Sequence, residues 1–189
     1  MRSDRAMSEN TQLVTAEELA RLPDDGYRYE LVEGRLVRMS PVNFDHGRIV
    51  MQIGFLLNRH LKQNPVGVIG AEIGFKLATN PDTVRGPDVA FVRNERVPSP
   101  KGRRGFVKGP PDVAIEVLSP DDRTRDVHEK IDEYLARGVL LVAVVHPDDK
   151  IVEIFRPATD KVTFESQTDI LDLSDVIPGF SCQLREIFQ

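Results

Sequence analysis

The chain has 189 residues, 40% hydrophobic and 29% charged, enough apolar material to bury a substantial core. A net charge of −5 argues against a general polyanion binder, and no apolar run approaches the roughly 20 residues of a membrane span. The single cysteine, Cys182, excludes an internal disulfide, and four scattered histidines argue against a structural zinc site.

Residues 1–12 read as a disordered leader, too polar for a signal peptide; residues 13–189 read as one domain, and a cytoplasmic protein is expected. Thr15 and Glu18 in TAEELARL make a capping box at the start of a short helix. Next, YRYELVEGRLVRMSP carries two alternating runs about Glu33-Gly34, a hairpin signal. Between residues 43 and 64, Ile49, Ile53, Leu57 and Leu61 recur at helical spacing, with Asn43 or Asp45 as cap. Strands are expected at 67–78, 87–92 and 112–118.

A second helix is expected at 124–138, with a stripe of Val127, Ile131, Tyr134 and Leu135 and Gly138 just past its end. The apolar run at 139–147 is short and β-branched, as a central strand is, and KIVEIFRP and KVTFESQT suggest another hairpin. Helices separating strands imply an α/β fold, a mixed central sheet flanked by helices with added hairpins at both ends.

Chemistry enters with PPDVAIEVLSP, residues 110–120. Val113, Ile115 and Val117 would point to one face and Ala114, Glu116 and Leu118 to the other, so Glu116 interrupts a strand covered on both sides. A buried carboxylate needs a partner. Asp88 begins the strand expected beside it, and neighbouring strands lie about 4.8 Å apart. Two carboxylates at matching heights can share a divalent cation, and magnesium suits a pair of carboxylates completed by water and a phosphate. Lys130, on the following helix, sits at the edge of the apolar stripe, from where its stem reaches either the sheet or the solvent.

The segment RNERVPSPKGRRGFVK holds six basic residues, Arg93, Arg96, Lys101, Arg103, Arg104 and Lys108, against Glu95 alone. Composition favours a solvated loop; the sharper alternative is a phosphate-binding arm on an acidic body.

GPDVAFV, PPDVAIEVLSP and RDVHEKIDEYLARGV, in this order and spacing, resemble the Uma-type restriction-endonuclease family, a branch of the PD-(D/E)XK nuclease superfamily; YRYELVEGRLVRMSP, DHGRIV and IPGFSCQLREIF extend the likeness from about Thr15 to Phe188. The resemblance implies a restriction-endonuclease-like core and a Mg²⁺-dependent centre, with Mn²⁺ as a substitute, that hydrolyses phosphodiester bonds in DNA, RNA being the alternative. Asp88 and Glu116 match the motif acids and would hold the metal, with the Val117 carbonyl as a third ligand. The superfamily lysine belongs two residues after Glu116, where Leu118 stands; Lys130 matches the lysine that replaces it. Glu30 and His46 fall at polar positions typical of the family. Arg123 and Arg125 would join the basic loop in phosphate contacts, and double-strand cutting implies a homodimer or higher homo-oligomer. GVLLVAVVHP departs from the family's usual GVPEYWVVDP at Leu141, Val142 and His146.

A nuclease fold serving only as a binding or assembly module is the main rival, since fold does not imply function. A serine hydrolase built on Ser119 with His46 or His128 lacks the strained nucleophile turn. A metal-binding regulator using His128 and Asp132 rests on two ligands alone.

Overall fold

The computed structural model describes residues 13–99, 102, 105–120 and 122–189; the expected leader lies outside them. A one-turn helix, α1 (Ala16–Leu19), starts at the Thr15–Glu18 capping box. The hairpin follows as β1 (Tyr29–Val32) and β2 (Arg35–Arg38). Its turn residues, Glu33 and Gly34, take φ of 49° and 76°, the paired left-handed conformation that matches a two-residue turn to strand twist. The long helix α2 (Phe44–Gln63) buries Ile49, Ile53, Leu57 and Leu61, and Asn43 caps it by accepting the His46 N–H at 2.8 Å.

Residues 67–78 form two strands where the apolar pattern suggests one. β3 (Gly67–Ala71) and β4 (Phe75–Ala78) lie in different sheets, and the chain turns between them at Glu72, with φ 56°. An unexpected short strand, β5 (Thr83–Arg85), pairs with both β4 and β1. With β7 (Val107–Lys108) these make a five-stranded sheet of order β2-β1-β5-β4-β7, so the N-terminal hairpin belongs to a second sheet.

The larger sheet adds β6 (Val89–Arg93), β8 (Val113–Val117), β9 (Leu141–His146), β10 (Ile151–Phe155) and β11 (Val162–Phe164), in the order β11-β10-β9-β8-β6-β3. The C-terminal hairpin, β10 with β11, thus extends the main sheet. β8 and β9 are parallel and are joined by α3 (Thr124–Ala136), the crossover that parallel neighbours require. Gly138, at φ 95°, ends α3: its N–H and that of Val139 return to the carbonyls of Leu135 and Tyr134, a Schellman close.

Side-chain alternation along β8 divides the core. Val113, Ile115 and Val117 pack on the α2 side, whereas Ala114 packs with Ile131, Tyr134, Val142 and Val144 on the α3 side. The tail, β12 (Ile170–Asp172), β13 (Ser181–Gln183) and α4 (Leu184–Ile187), closes the α2 side with Leu173, Ile177 and Phe180. Among the described residues no helix is long and apolar enough to cross a membrane.

Candidate active site

β6 and β8 run antiparallel with Val89 opposite Ile115. One further step of that register sets Asp88 opposite Glu116, at the edge where β6 begins. The Val117 N–H donates to Asp88 Oδ2 at 2.7 Å, and His46 Nε2 lies 3.2 Å from the same oxygen. A strand residue's N–H and C=O point the same way, so the Val117 carbonyl also faces Asp88. His46 is buried at the first turn of α2, and its Nδ1 has no hydrogen-bond partner.

Glu116 is paired from α3. Lys130 Nζ lies 2.9 Å from Glu116 Oε2, and the Tyr134 hydroxyl donates to Oε1 at 2.8 Å. The partner that the sequence left open for Glu116 is therefore a lysine and a tyrosine of the next helix, one turn apart. Lys130 Nζ also lies 3.3 Å from Glu30 Oε1 on β1. Glu30 accepts from Arg85 Nη1 at 2.8 Å and from the Gly86 N–H at 2.9 Å, and Arg85 Nε donates to Glu133 Oε2 at 2.6 Å.

Burial pushes the Glu116 carboxyl up to about 7; Lys130 opposes that rise, while Asp88 and Glu30 add to it. Burial raises the Glu30 carboxyl too, but Lys130 and Arg85 outweigh it and hold Glu30 below the usual range. His46 loses affinity for its proton through burial and regains more from the Asp88 hydrogen bond and charge, so its pKa is raised.

Glu116, Glu30 and Glu133 are set against Lys130 and Arg85, and Asp88 against His46. Among the described residues, no three histidine, cysteine or acidic side chains are arranged to hold a metal unaided. The donor set nevertheless fits magnesium, which takes oxygen ligands, accepts one or two carboxylates and keeps much of its water.

Two cavities, about 320 and 220 Å³, open onto this group and share Arg28, Glu30, Met39, Asp88, Glu116 and Lys130. Arg123 lines the larger one. Arg125 is exposed beside it on α3, paired with Glu129. Arg93 and Arg96 sit at the other end of β6: Arg96 binds Asp112 Oδ1 and the Pro110 carbonyl, each at 2.6 Å, and the Arg93 N–H donates to Asp112 Oδ2. Lys108 is exposed on β7. Lys101, Arg103 and Arg104 lie outside the described residues. Arg28, Arg85 and the Tyr134 hydroxyl are site groups that the sequence pattern did not single out; the lone usable signal was Tyr134 four residues after Lys130.

The Uma2 family, described as “Putative restriction endonuclease”, matches residues 16–185. The fold is similar to that of a “putative nuclease belonging to DUF820” from Anabaena variabilis, with a TM-score of 0.80 and 21% identity over 93% of this chain and 97% of that one. No curated protein matches the chain.

Proposed function

We propose that this chain, which belongs to the Uma2 family, is a Mg²⁺-dependent nuclease hydrolysing phosphodiester bonds in DNA, with Mn²⁺ as a working substitute. The observation that carries this reading is the meeting of Asp88, Glu116 and Lys130 at one strand edge, inside a cavity that opens to solvent.

Asp88 and Glu116, with the Val117 carbonyl, would hold the cation. When bound, it neutralises charge on the phosphate and acidifies water. The chain's own groups set the geometry around it. Val117 N–H and His46 fix one oxygen of Asp88 and leave the other for coordination. Tyr134 orients Glu116 through Oε1. Lys130, held between Glu116 and Glu30, aims a fixed positive charge into the cavity, where it stabilises charge developing on the phosphate in the transition state. Glu30 and Arg85 keep that ammonium in place. Arg28 and Arg123, on the cavity wall, supply phosphate contacts that position the strand without reading its sequence.

The test incubates single-stranded, linear duplex and supercoiled DNA with Mg²⁺ or Mn²⁺, using the wild type, Glu116→Ala and Lys130→Ala. Cleavage by the wild type alone, stopped by chelation, is expected. Equal residual cleavage by all three refutes the assignment, and metal-independent DNA binding without cleavage supports the binding-module alternative.

A further inference from the structure

We propose that the site takes a single polynucleotide strand, passed beneath the base of the β1–β2 hairpin, in preference to a duplex. The proposal rests on the nuclease reading for the identity of the ligand, and on separate geometry for its form.

The base of the hairpin crosses the site as a strap. The Met39 N–H donates to the Arg28 carbonyl at 2.9 Å, and Arg28 Nη1 is tied to Glu72 Oε1, at the β3–β4 turn, at 2.6 Å. Both cavities are lined by Arg28 and Met39 of the hairpin base together with Asp88, Glu116 and Lys130, so the hairpin base and the acids face the same two spaces. At about 320 and 220 Å³, each is at or below the lower end of ligand-sized pockets. Asp88 is only 8% exposed and the Glu116 side chain 13%, so a phosphate must enter the cavity to meet them. A duplex, whose major groove alone is about 12 Å wide, holds its phosphates on a stiff cylinder that the strap keeps out. A lone strand bends, and its bases are free to turn aside.

One exposed aromatic ring lies against a residue of the cavity wall. Tyr27 is 46% exposed, next to cavity-lining Arg28, with the guanidinium of Arg38, another lining residue, 4.5 Å above its ring. Single exposed apolar side chains are common. Tyr27, held against a cavity-wall arginine, presents a ring on which an unpaired base can stack, and a duplex offers no free base face to it.

The test measures anisotropy of a short fluorescent oligodeoxynucleotide, alone or annealed to its complement, on the full chain with Ca²⁺ in place of Mg²⁺. The single strand should bind at least about tenfold tighter, and Tyr27→Ala should weaken it about tenfold while leaving duplex affinity unchanged. A melting curve confirms that the variant folds, which the exposure of Tyr27 favours. Equal affinity for the two forms, or binding indifferent to the substitution, overturns the proposal. Cleavage is scored separately with Mg²⁺. Single-strand preference without cleavage sinks the nuclease reading and supports this one; equal cleavage of both forms overturns this one and leaves the nuclease reading standing.

Discussion

Lys130 Nζ stands 2.9 Å from Glu116 on the larger sheet and 3.3 Å from Glu30 on the smaller one, so one ammonium from α3 joins the two sheets at the site. Its removal has both a structural and a chemical cost. Lys130→Met keeps the apolar stem and deletes the charge, leaving Glu116, Glu30 and Asp88 to repel one another. Breaking a buried pair costs about 3–5 kcal/mol when the remaining charge is uncompensated. Glu116 escapes part of that cost by binding a proton, so Lys130→Met should lower the melting temperature more at pH 8 than at pH 6. Cleavage should fall by about 10²–10³-fold, the loss typical of one transition-state donor. Undiminished turnover with lowered stability would reduce Lys130 to scaffolding.

The Glu116 carboxyl, raised to about 7 from an unfolded value near 4.5, makes stability depend on pH. A pKa raised by folding means that the neutral form is the one the fold favours. Its contribution is complete below about 4.5 and is lost as pH rises through about 7. Metal-free protein should therefore lose melting temperature from pH 5 to pH 8, and Glu116→Gln should flatten that loss. Mg²⁺ requires the ionised carboxylates, so the stabilisation it gives should grow over the same interval. Thermal melts with and without chelator measure both slopes; a metal effect that shrinks as pH rises would remove Glu116 from the ligand set.

Much of this was legible in the sequence, because the local signals and the fold agree. The Thr15 capping box, the Glu33-Gly34 turn, the α2 stripe and the Gly138 close are short-range devices that need no knowledge of the rest of the chain. Asp88 and Glu116 could be placed side by side because alternation along two adjacent strands fixes register. The break at Glu72 was hidden, since Val68, Ile69, Ile73 and Phe75 read as one apolar run and only pairing to two different sheets separates them. Arg85 lies on a three-residue strand that tertiary pairing creates. Tyr134 looked like core and is core, with a hydroxyl whose role depends on Glu116 being opposite.

The basic residues divide by where the sheets carry them. Arg96 is committed to Asp112, which is 1% exposed, and to the Pro110 carbonyl, at the end of β6 remote from Asp88. Arg96→Ala should cost about 1–3 kcal/mol of stability by stripping hydrogen bonds from a buried carboxylate, and leave DNA affinity unchanged. Arg123 is exposed on the cavity wall and makes the opposite prediction. Arg123→Ala should leave the melting curve in place, weaken DNA binding across sequences, and lower the slope of log affinity against log salt by about one. Salt titrations of both variants check the division; a reduced slope for Arg96→Ala would return the far end of β6 to the nucleic-acid surface.

Leu118 offers the sharpest test of what the site asks of its lysine. It lies two residues beyond Glu116, so it leaves the strand on the same side, and it lines the larger cavity beside Lys130. This is the position at which the resemblance to the PD-(D/E)XK pattern leads one to expect a lysine. If catalysis needs an ammonium near Glu116 and the cavity, whichever element carries it, Leu118→Lys in a Lys130→Met background should recover at least about tenfold of the lost cleavage. The recovered activity should remain metal-dependent, since Asp88 and Glu116 are untouched. Leu118 packs against the α3-side core, so the double variant should melt lower than Lys130→Met and must be assayed below its transition. If the double variant is folded and as inactive as the single one, proximity to Glu116 is insufficient. The bridge from Lys130 to Glu30, which ties the hairpin sheet to the strand edge, would then be the property that catalysis requires.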